Sequence, residues 1–171
     1  MEKVGIVFGC FIPLHDGHKH LIEEALREND KVIIAVCGYD SDRGKDFIPF
    51  SDRFKLMYFK YIAFDNVYVT SVNDHAIGLT GKFDTHSWKL WIETLLGTIP
   101  SDFYDTAEIT WYTGELSYIE KMSEIRTRDN FKYYGRQSIP VSGTMIREHY
   151  SELKKYVDKD FREYLDKHGI F

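Results

Sequence analysis

Two histidines, His15 and His18, stand three residues apart in the stretch GCFIPLHDGHKH that runs from Gly9 to His20. The apolar run Lys3–Phe8 before it reads as a buried parallel strand, and His18–Glu28 after it as an amphipathic helix. Between them, Gly9 lets the backbone approach a ligand closely and Pro13 stiffens the turn. Gly17 is expected to open the helix, whose N–H groups and positive dipole end favour an anion. In that setting His15 and His18 can donate to phosphate oxygens, and the chemistry is that of a polyphosphate cradle. A lone histidine is more often structural, but two at this spacing on a glycine-bounded turn are a stronger signal. Cys10, His15, His18 and His20 are close enough in sequence to suggest zinc. The chain has no H-E-x-x-H pattern and no paired cysteines, and a turn offers poor ligand geometry, so no metal ligand set is expected.

A second polar cluster lies far along the chain, in Ile139-Pro140-Val141-Ser142-Gly143-Thr144-Met145-Ile146-Arg147. Ser142 or Thr144 can cap a helix there, and Arg147 follows as a permanently charged, forked donor suited to phosphate. By itself this segment is equally well an ordinary capped helix with a surface arginine. Trp88 and Trp91 share a face of a further predicted helix, an arrangement that usually means core packing. Trp111 falls in a strand and reads as core.

These groups need a scaffold, and the hydrophobic pattern supplies one. Strand-like runs at Lys3–Phe8, Lys31–Cys37, Asn66–Val72, Glu108–Tyr112 and Phe131–Tyr134 alternate with helical patterns near His18–Glu28, Asp52–Ala63, Thr85–Leu96 and Leu116–Ile125. A helical tail is expected over Met145–Tyr150 and Glu152–Lys167. The fold class is therefore α/β, a Rossmann-like doubly wound parallel sheet of about five strands with a C-terminal helical tail. In such a sheet ligands bind beyond the carboxyl ends of the strands, where strand order reverses, and the loop holding His15 should lie there. The 171 residues are expected to form one domain, with 1–150 as core and 151–171 as tail. A chain of this size hides roughly 70% of its unfolded surface. A net charge of −5 and a pI near 5.8 argue against general nucleic-acid binding, which needs a basic face. Cys10 and Cys37 are too few for a disulfide framework, and no signal peptide or long apolar run is visible, so a cytoplasmic protein without membrane attachment is expected. A homo-oligomer is compatible with the chain.

The pattern Gly9-Cys10-Phe11-Ile12-Pro13-Leu14-His15-Asp16-Gly17-His18 resembles the G-x-F-x-P-x-H-x-G-H signature of the HxGH nucleotidyltransferase superfamily, with Cys10 where many members carry Thr or Ser. The segment Ile139–Arg147 resembles the same superfamily's I-S-x-T-x-I-R element, which points an arginine at a triphosphate. The loop Gly38-Tyr39-Asp40-Ser41-Asp42-Arg43-Gly44 resembles the corresponding loop of the NMN adenylyltransferase domain of NadR-type bifunctional proteins. The likeness extends through Phe50–Arg53, Trp88, Trp91 and Gly114-Glu115-Leu116-Ser117-Tyr118. NadR-type proteins also carry a kinase domain with a P-loop; Gly81-Lys82-Phe83 lacks the spacing of one, and neither that domain nor a helix-turn-helix is expected in these residues.

The resemblance implies transfer of AMP from ATP to nicotinamide mononucleotide (NMN), giving NAD and pyrophosphate without a covalent intermediate. It implies catalytic roles for His15, His18 and Arg147. Contacts to ATP or its phosphates are implied for Gly9, Cys10, Phe11, Gly17, Lys19, Gly114, Glu115, Ser142 and Thr144. NMN contacts are implied for Tyr39, Asp40, Arg43, Arg53, Trp88 and Trp91, with Lys19 and Arg53 as weaker phosphate candidates. An indole face suits the flat nicotinamide cation by stacking and cation–π attraction, and Trp88 is the first choice for it. Mg²⁺ would be held mainly through the substrate phosphates. The alternatives are a phosphopantetheine adenylyltransferase, a cytidylyltransferase, or a non-catalytic module that senses NAD or ATP.

Overall fold

β1 (Lys3–Gly9) lies at the centre of a five-stranded sheet with order β3-β2-β1-β4-β5, in which every neighbouring pair is parallel. The computed structural model describes residues 1–38, 47–74, 78–79, 84–135 and 141–169. The other strands are β2 (Lys31–Val36), β3 (Val67–Ser71), β4 (Glu108–Thr113) and β5 (Asn130–Tyr133). Around them run α1 (Asp16–Glu28), α2 (Phe50–Tyr61), α3 (Thr85–Gly97), α4 (Leu116–Ile125), α5 (Gly143–Glu148), α6 (Tyr150–Leu153) and α7 (Lys159–His168). Among the described residues no helix is long and apolar enough to cross a membrane.

The strands are apolar on both faces because both faces are covered. In β2, Val32, Ile34 and Val36 pack with Leu21, Ile22 and Ala25 of α1, Met57 of α2 and Phe161 and Leu165 of α7. The alternate residues Ile33 and Ala35 face the other way, onto Trp91, Ile92 and Leu95 of α3 and Met122 of α4. This period-two split is what makes the sheet doubly wound. Each fully buried isoleucine in it is worth about 1.5–3 kcal/mol of burial. The chain steps outward from β1 through β2 to β3, then returns to the opposite side of β1 for β4. That reversal opens a crevice beyond the carboxyl ends of β1 and β4.

The tail differs from the single helix expected over Glu152–Lys167. After α6 the chain makes a 3-10 turn at Lys154–Tyr156, goes extended at Val157, and restarts as α7 with Asp158 as its cap. Tertiary pairing explains the break: Val157 forms an antiparallel bridge with His15, and Asp158 N–H donates to Leu14 O at 3.0 Å. The tail is thus a buttress under the first turn rather than an appendage. Asp158 anchors it. Its carboxylate, 1% exposed, accepts from Lys60 Nζ at 2.9 Å, from Lys19 Nζ at 3.3 Å and from the Asp160 N–H at 3.0 Å. Asp158→Ala removes a helix cap and the contacts of two lysines, of which Lys60 keeps Asp160 at 2.6 Å, and is expected to cost about 1–3 kcal/mol. Asp158→Asn keeps the cap and should cost less. Urea unfolding of both variants checks this, and a loss below about 0.5 kcal/mol in the alanine variant would deny the buttress its role.

Candidate active site

The turn after β1 is held in place from three directions before any ligand arrives. Cys37 N–H donates to Gly9 O at 2.8 Å, which joins the carboxyl ends of β1 and β2. Arg53, fully buried in α2, donates from Nη1 to Cys10 O at 2.6 Å and to Cys37 O at 3.0 Å, and from Nε to Ile48 O at 3.1 Å. Phe11 follows with φ of 53°, left-handed backbone that costs a non-glycine residue about 1–2 kcal/mol. Its side chain is buried and packs edge-on against the His18 ring at 4.9 Å, so packing holds the strained residue in place.

His15, rather than Gly17, sets the start of α1. It is the N-cap, and its Nδ1 accepts the Gly17 N–H at 3.1 Å. His18 closes the box from the other side, its Nδ1 accepting the His15 N–H at 3.4 Å. This arrangement has a chemical consequence. A ring nitrogen that accepts a backbone N–H carries no proton, so each neutral imidazole bears its proton on Nε2, the edge away from the helix. The two rings stack at 3.8 Å and 26° and so present two parallel N–H donors side by side. Gly17 is needed for close approach, because a Cβ there would lie 2.9 Å from His15 Cε1.

The second cluster meets the first across the crevice. Ser142 is the N-cap of α5, its hydroxyl accepting Met145 N–H at 3.2 Å. Thr144 instead accepts from Arg147 Nη2 at 3.2 Å, and Arg147 Nη1 donates to Ile12 O at 2.8 Å. Both contacts fix the plane of the guanidinium beside the histidine turn. A Cβ on Gly143 would sit 3.0 Å from both Arg147 Nη1 and Ile12 O, which is why glycine occupies this position. Since α5 has only six residues, positive charge on this wall comes from Arg147 more than from a helix dipole.

These walls enclose a cavity of about 300 Å³. Its lining includes Gly9, Cys10, Phe11, His15, Gly17, His18, Ser142, Thr144 and Arg147 on the phosphate side, and Gly114 and Glu115 past β4. Both Trp88 and Trp91 line it as well, while packing against each other at 5.7 Å and remaining 8% exposed. Each tryptophan thus belongs to the core on the α3 side of the sheet and also lines the cavity. Two candidate phosphate contacts lie outside the lining. Lys19 is drawn to Asp158, and Arg53 spends its donors on backbone carbonyls as a tie between loops. Tyr39, Asp40 and Arg43 fall outside the described residues.

The sequence reading missed Asp74, Tyr118 and Tyr134 as cavity residues. Asp74 accepts the Gly38 N–H at 3.1 Å, and burial raises its carboxyl above the usual range. Its one available signal was position, just past the carboxyl end of a parallel strand. Tyr118 packs on Trp88 at 5.2 Å, and Tyr134 meets His20 edge-on at 5.7 Å. Among the described residues no group of three or more His, Cys, Asp or Glu is placed to hold a metal ion.

The sequence profile of the cytidylyltransferase-like family matches residues 6–149. The trifunctional NAD biosynthesis/regulator protein NadR of Salmonella typhimurium is 31% identical over 101 residues, 53% of this chain and 23% of that protein. A solved NadR protein in complex with NAD and AMP-PNP superposes with a TM-score of 0.72 at 27% identity, covering 95% of this chain and 46% of that one. A putative nicotinate-nucleotide adenylyltransferase from Vibrio parahaemolyticus shares the fold, with a TM-score of 0.63 at 22% identity over 96% of this chain and 99% of that one. This chain thus spans less than half the length of the NadR proteins it matches. With the histidine turn and the Ser142–Arg147 element facing each other across one crevice, and a family profile running through both, the chain belongs to the cytidylyltransferase-like family of nucleotidyltransferases.

Proposed function

We propose that the chain is an NMN adenylyltransferase, which joins NMN to the AMP moiety of ATP and releases pyrophosphate. The observation that carries the reading is a cavity whose lining holds the His15–His18 pair and Arg147 together with Trp88 and Trp91. The likeness to a NadR protein solved with NAD and AMP-PNP supports the same pairing of ligands. An oxygen of the NMN phosphate attacks the α-phosphorus of ATP in line; the new P–O bond forms as the bond to the β-phosphate bridging oxygen breaks. The attacking phosphate is already ionised at neutral pH, so no protein nucleophile and little general-base help are needed. The protein's task is to align the two phosphates and to stabilise charge on the departing pyrophosphate. The Nε2–H donors of His15 and His18, the turn backbone at Phe11, and Arg147 supply that stabilisation. Ser142 and Thr144 shape the same wall, and Gly114 and Glu115 flank the ATP nucleoside. ATP enters as its Mg²⁺ complex, the ion riding on phosphate oxygens and water.

The test is pyrophosphate release by purified protein given Mg²⁺-ATP with NMN, its deamidated analogue or phosphopantetheine in separate reactions, and CTP with cytidylyl acceptors in another. Release with ATP and NMN is expected. Turnover confined to phosphopantetheine or to CTP would replace this reading with another member of the family, and no turnover with any pair would favour a binding module.

A further inference from the structure

α2 grips the phosphate turn at both of its ends. At the start of the turn, Arg53 Nη1 binds the Cys10 carbonyl at 2.6 Å. About two helical turns further along the same face of α2, Lys60 Nζ reaches Asp158 Oδ1 at 2.9 Å, and the Asp158 N–H donates to Leu14 O at the far end of the phosphate turn. Asp158 divides its two oxygens between separate duties. Oδ2 caps α7 by accepting the Asp160 N–H at 3.0 Å, whereas Oδ1 takes Lys60 together with Lys19 Nζ at 3.3 Å. A cap requires an oxygen but no charge, since asparagine and serine cap as well as aspartate. The charge therefore serves the lysines. Lys19 closes a ring with it, because its backbone N–H donates to His15 O at 3.0 Å while its ammonium holds Asp158, and Val157, beside Asp158, bridges to His15 itself. The N-cap of α1 is enclosed by this ring.

Resting on the adenylyltransferase reading above, we infer that Asp158 is a positioning residue for the phosphate turn: its charge, acting through Lys19 and Lys60, holds His15 in the geometry that aims the Nε2–H at a phosphate. Asp158 does not line the cavity, so it acts through His15 and touches no substrate. The aim of His15 depends on its extended cap backbone (φ −136°, ψ 175°), which lets Nδ1 accept the Gly17 N–H and leaves the proton on Nε2. If the ring of contacts opens, that backbone loosens, the Gly17 bond weakens, and the imidazole can take the other tautomer and turn its N–H away from the ligand. Burial makes the carboxylate effective. Its side chain is 1% exposed and that of Lys60 20%, so solvent and salt screen the pair weakly. Small displacements matter in such a site, where a shift of about 1 Å can cost about 100-fold in rate.

The experiment measures kcat and KM for pyrophosphate release in the wild type and in Asp158→Asn, with a thermal melt of each. It also records imidazole ¹⁵N NMR spectra of both proteins without ligand at about pH 8.5, where an ordinary imidazole is neutral, and a His15→Ala spectrum identifies the His15 signals. Asparagine keeps the volume and an oxygen for the Asp160 N–H but presents no charge to the lysines. kcat should fall by about 10-fold while the KM for ATP changes by less than about 2-fold, the pattern of an interaction made in the transition state. His15 should show an unprotonated Nδ1 in the wild type and a mixture of tautomers in the variant. A tail that only adds stability would lower the melting temperature and move neither reading. Wild-type kcat or unchanged His15 signals in a folded Asp158→Asn protein overturns the inference. Should that variant fail to fold, Lys60→Met, which leaves the α7 cap and the Leu14 bond in place, is held to the same two readings, with a kcat loss of several-fold expected. Absence of pyrophosphate release from the wild type would overturn the adenylyltransferase reading, and the His15 signals would then decide the positioning role by themselves, which keeps the two failures apart.

Discussion

Replacing His18 by alanine should slow pyrophosphate release by about 100-fold or more, as expected when a preorganised donor to developing charge is removed. The geometry makes this residue costly to lose. Its Nδ1 receives the His15 N–H at 3.4 Å, which turns its Nε2–H toward the ligand edge, and its ring stacks on that of His15 at 3.8 Å. Alanine removes the donor and also loosens the partner histidine. The structural part of the loss is a helix-capping contact worth about 1 kcal/mol, too little to unfold a domain of this size. A drop in kcat with the KM for ATP nearly unchanged would identify a contact made in the transition state. Steady-state kinetics beside a thermal melt make the check. A folded variant with near wild-type kcat would remove the histidine pair from the chemistry.

Arg147→Lys is the second large effect, because charge is preserved while the fork is not. The guanidinium plane is set by Nη1 on Ile12 O at 2.8 Å and Nη2 on Thr144 Oγ1 at 3.2 Å, and Gly143 leaves just enough room for it. A lysine ammonium cannot hold both anchors and still meet a phosphate. kcat/KM for ATP should fall by about 10- to 100-fold, measured at saturating acceptor. Wild-type values in the lysine variant would mean that Arg147 contributes only a general positive charge.

The two elements at the centre of these predictions were legible in the sequence because each is local. The histidine turn lies between a buried strand and an amphipathic helix, and Gly17 stands where a Cβ would meet His15. The Ser142–Arg147 element carries its cap and its cation within one short segment. Strand periodicity was also sufficient for β1, β2 and β4 to within a residue or so, and α4 runs over Leu116–Ile125 as expected.

What only the tertiary structure decided depends on partners far away along the chain. Arg53 and Lys19 have the right chemistry for phosphate, yet Arg53 is committed to carbonyls at Cys10 and Cys37, and Lys19 to a carboxylate 139 positions later at Asp158. The break in the tail at Val157 has the same origin, since the extended backbone there pairs with His15. Asp74 gave no periodic or motif signal, and it entered the site because parallel pairing of β3 with β2 brings its carboxylate to the Gly38 N–H. Residue type and spacing are sufficient where a function is built within one turn of chain; where a side chain's partner arrives from another element, packing chooses between ligand and scaffold.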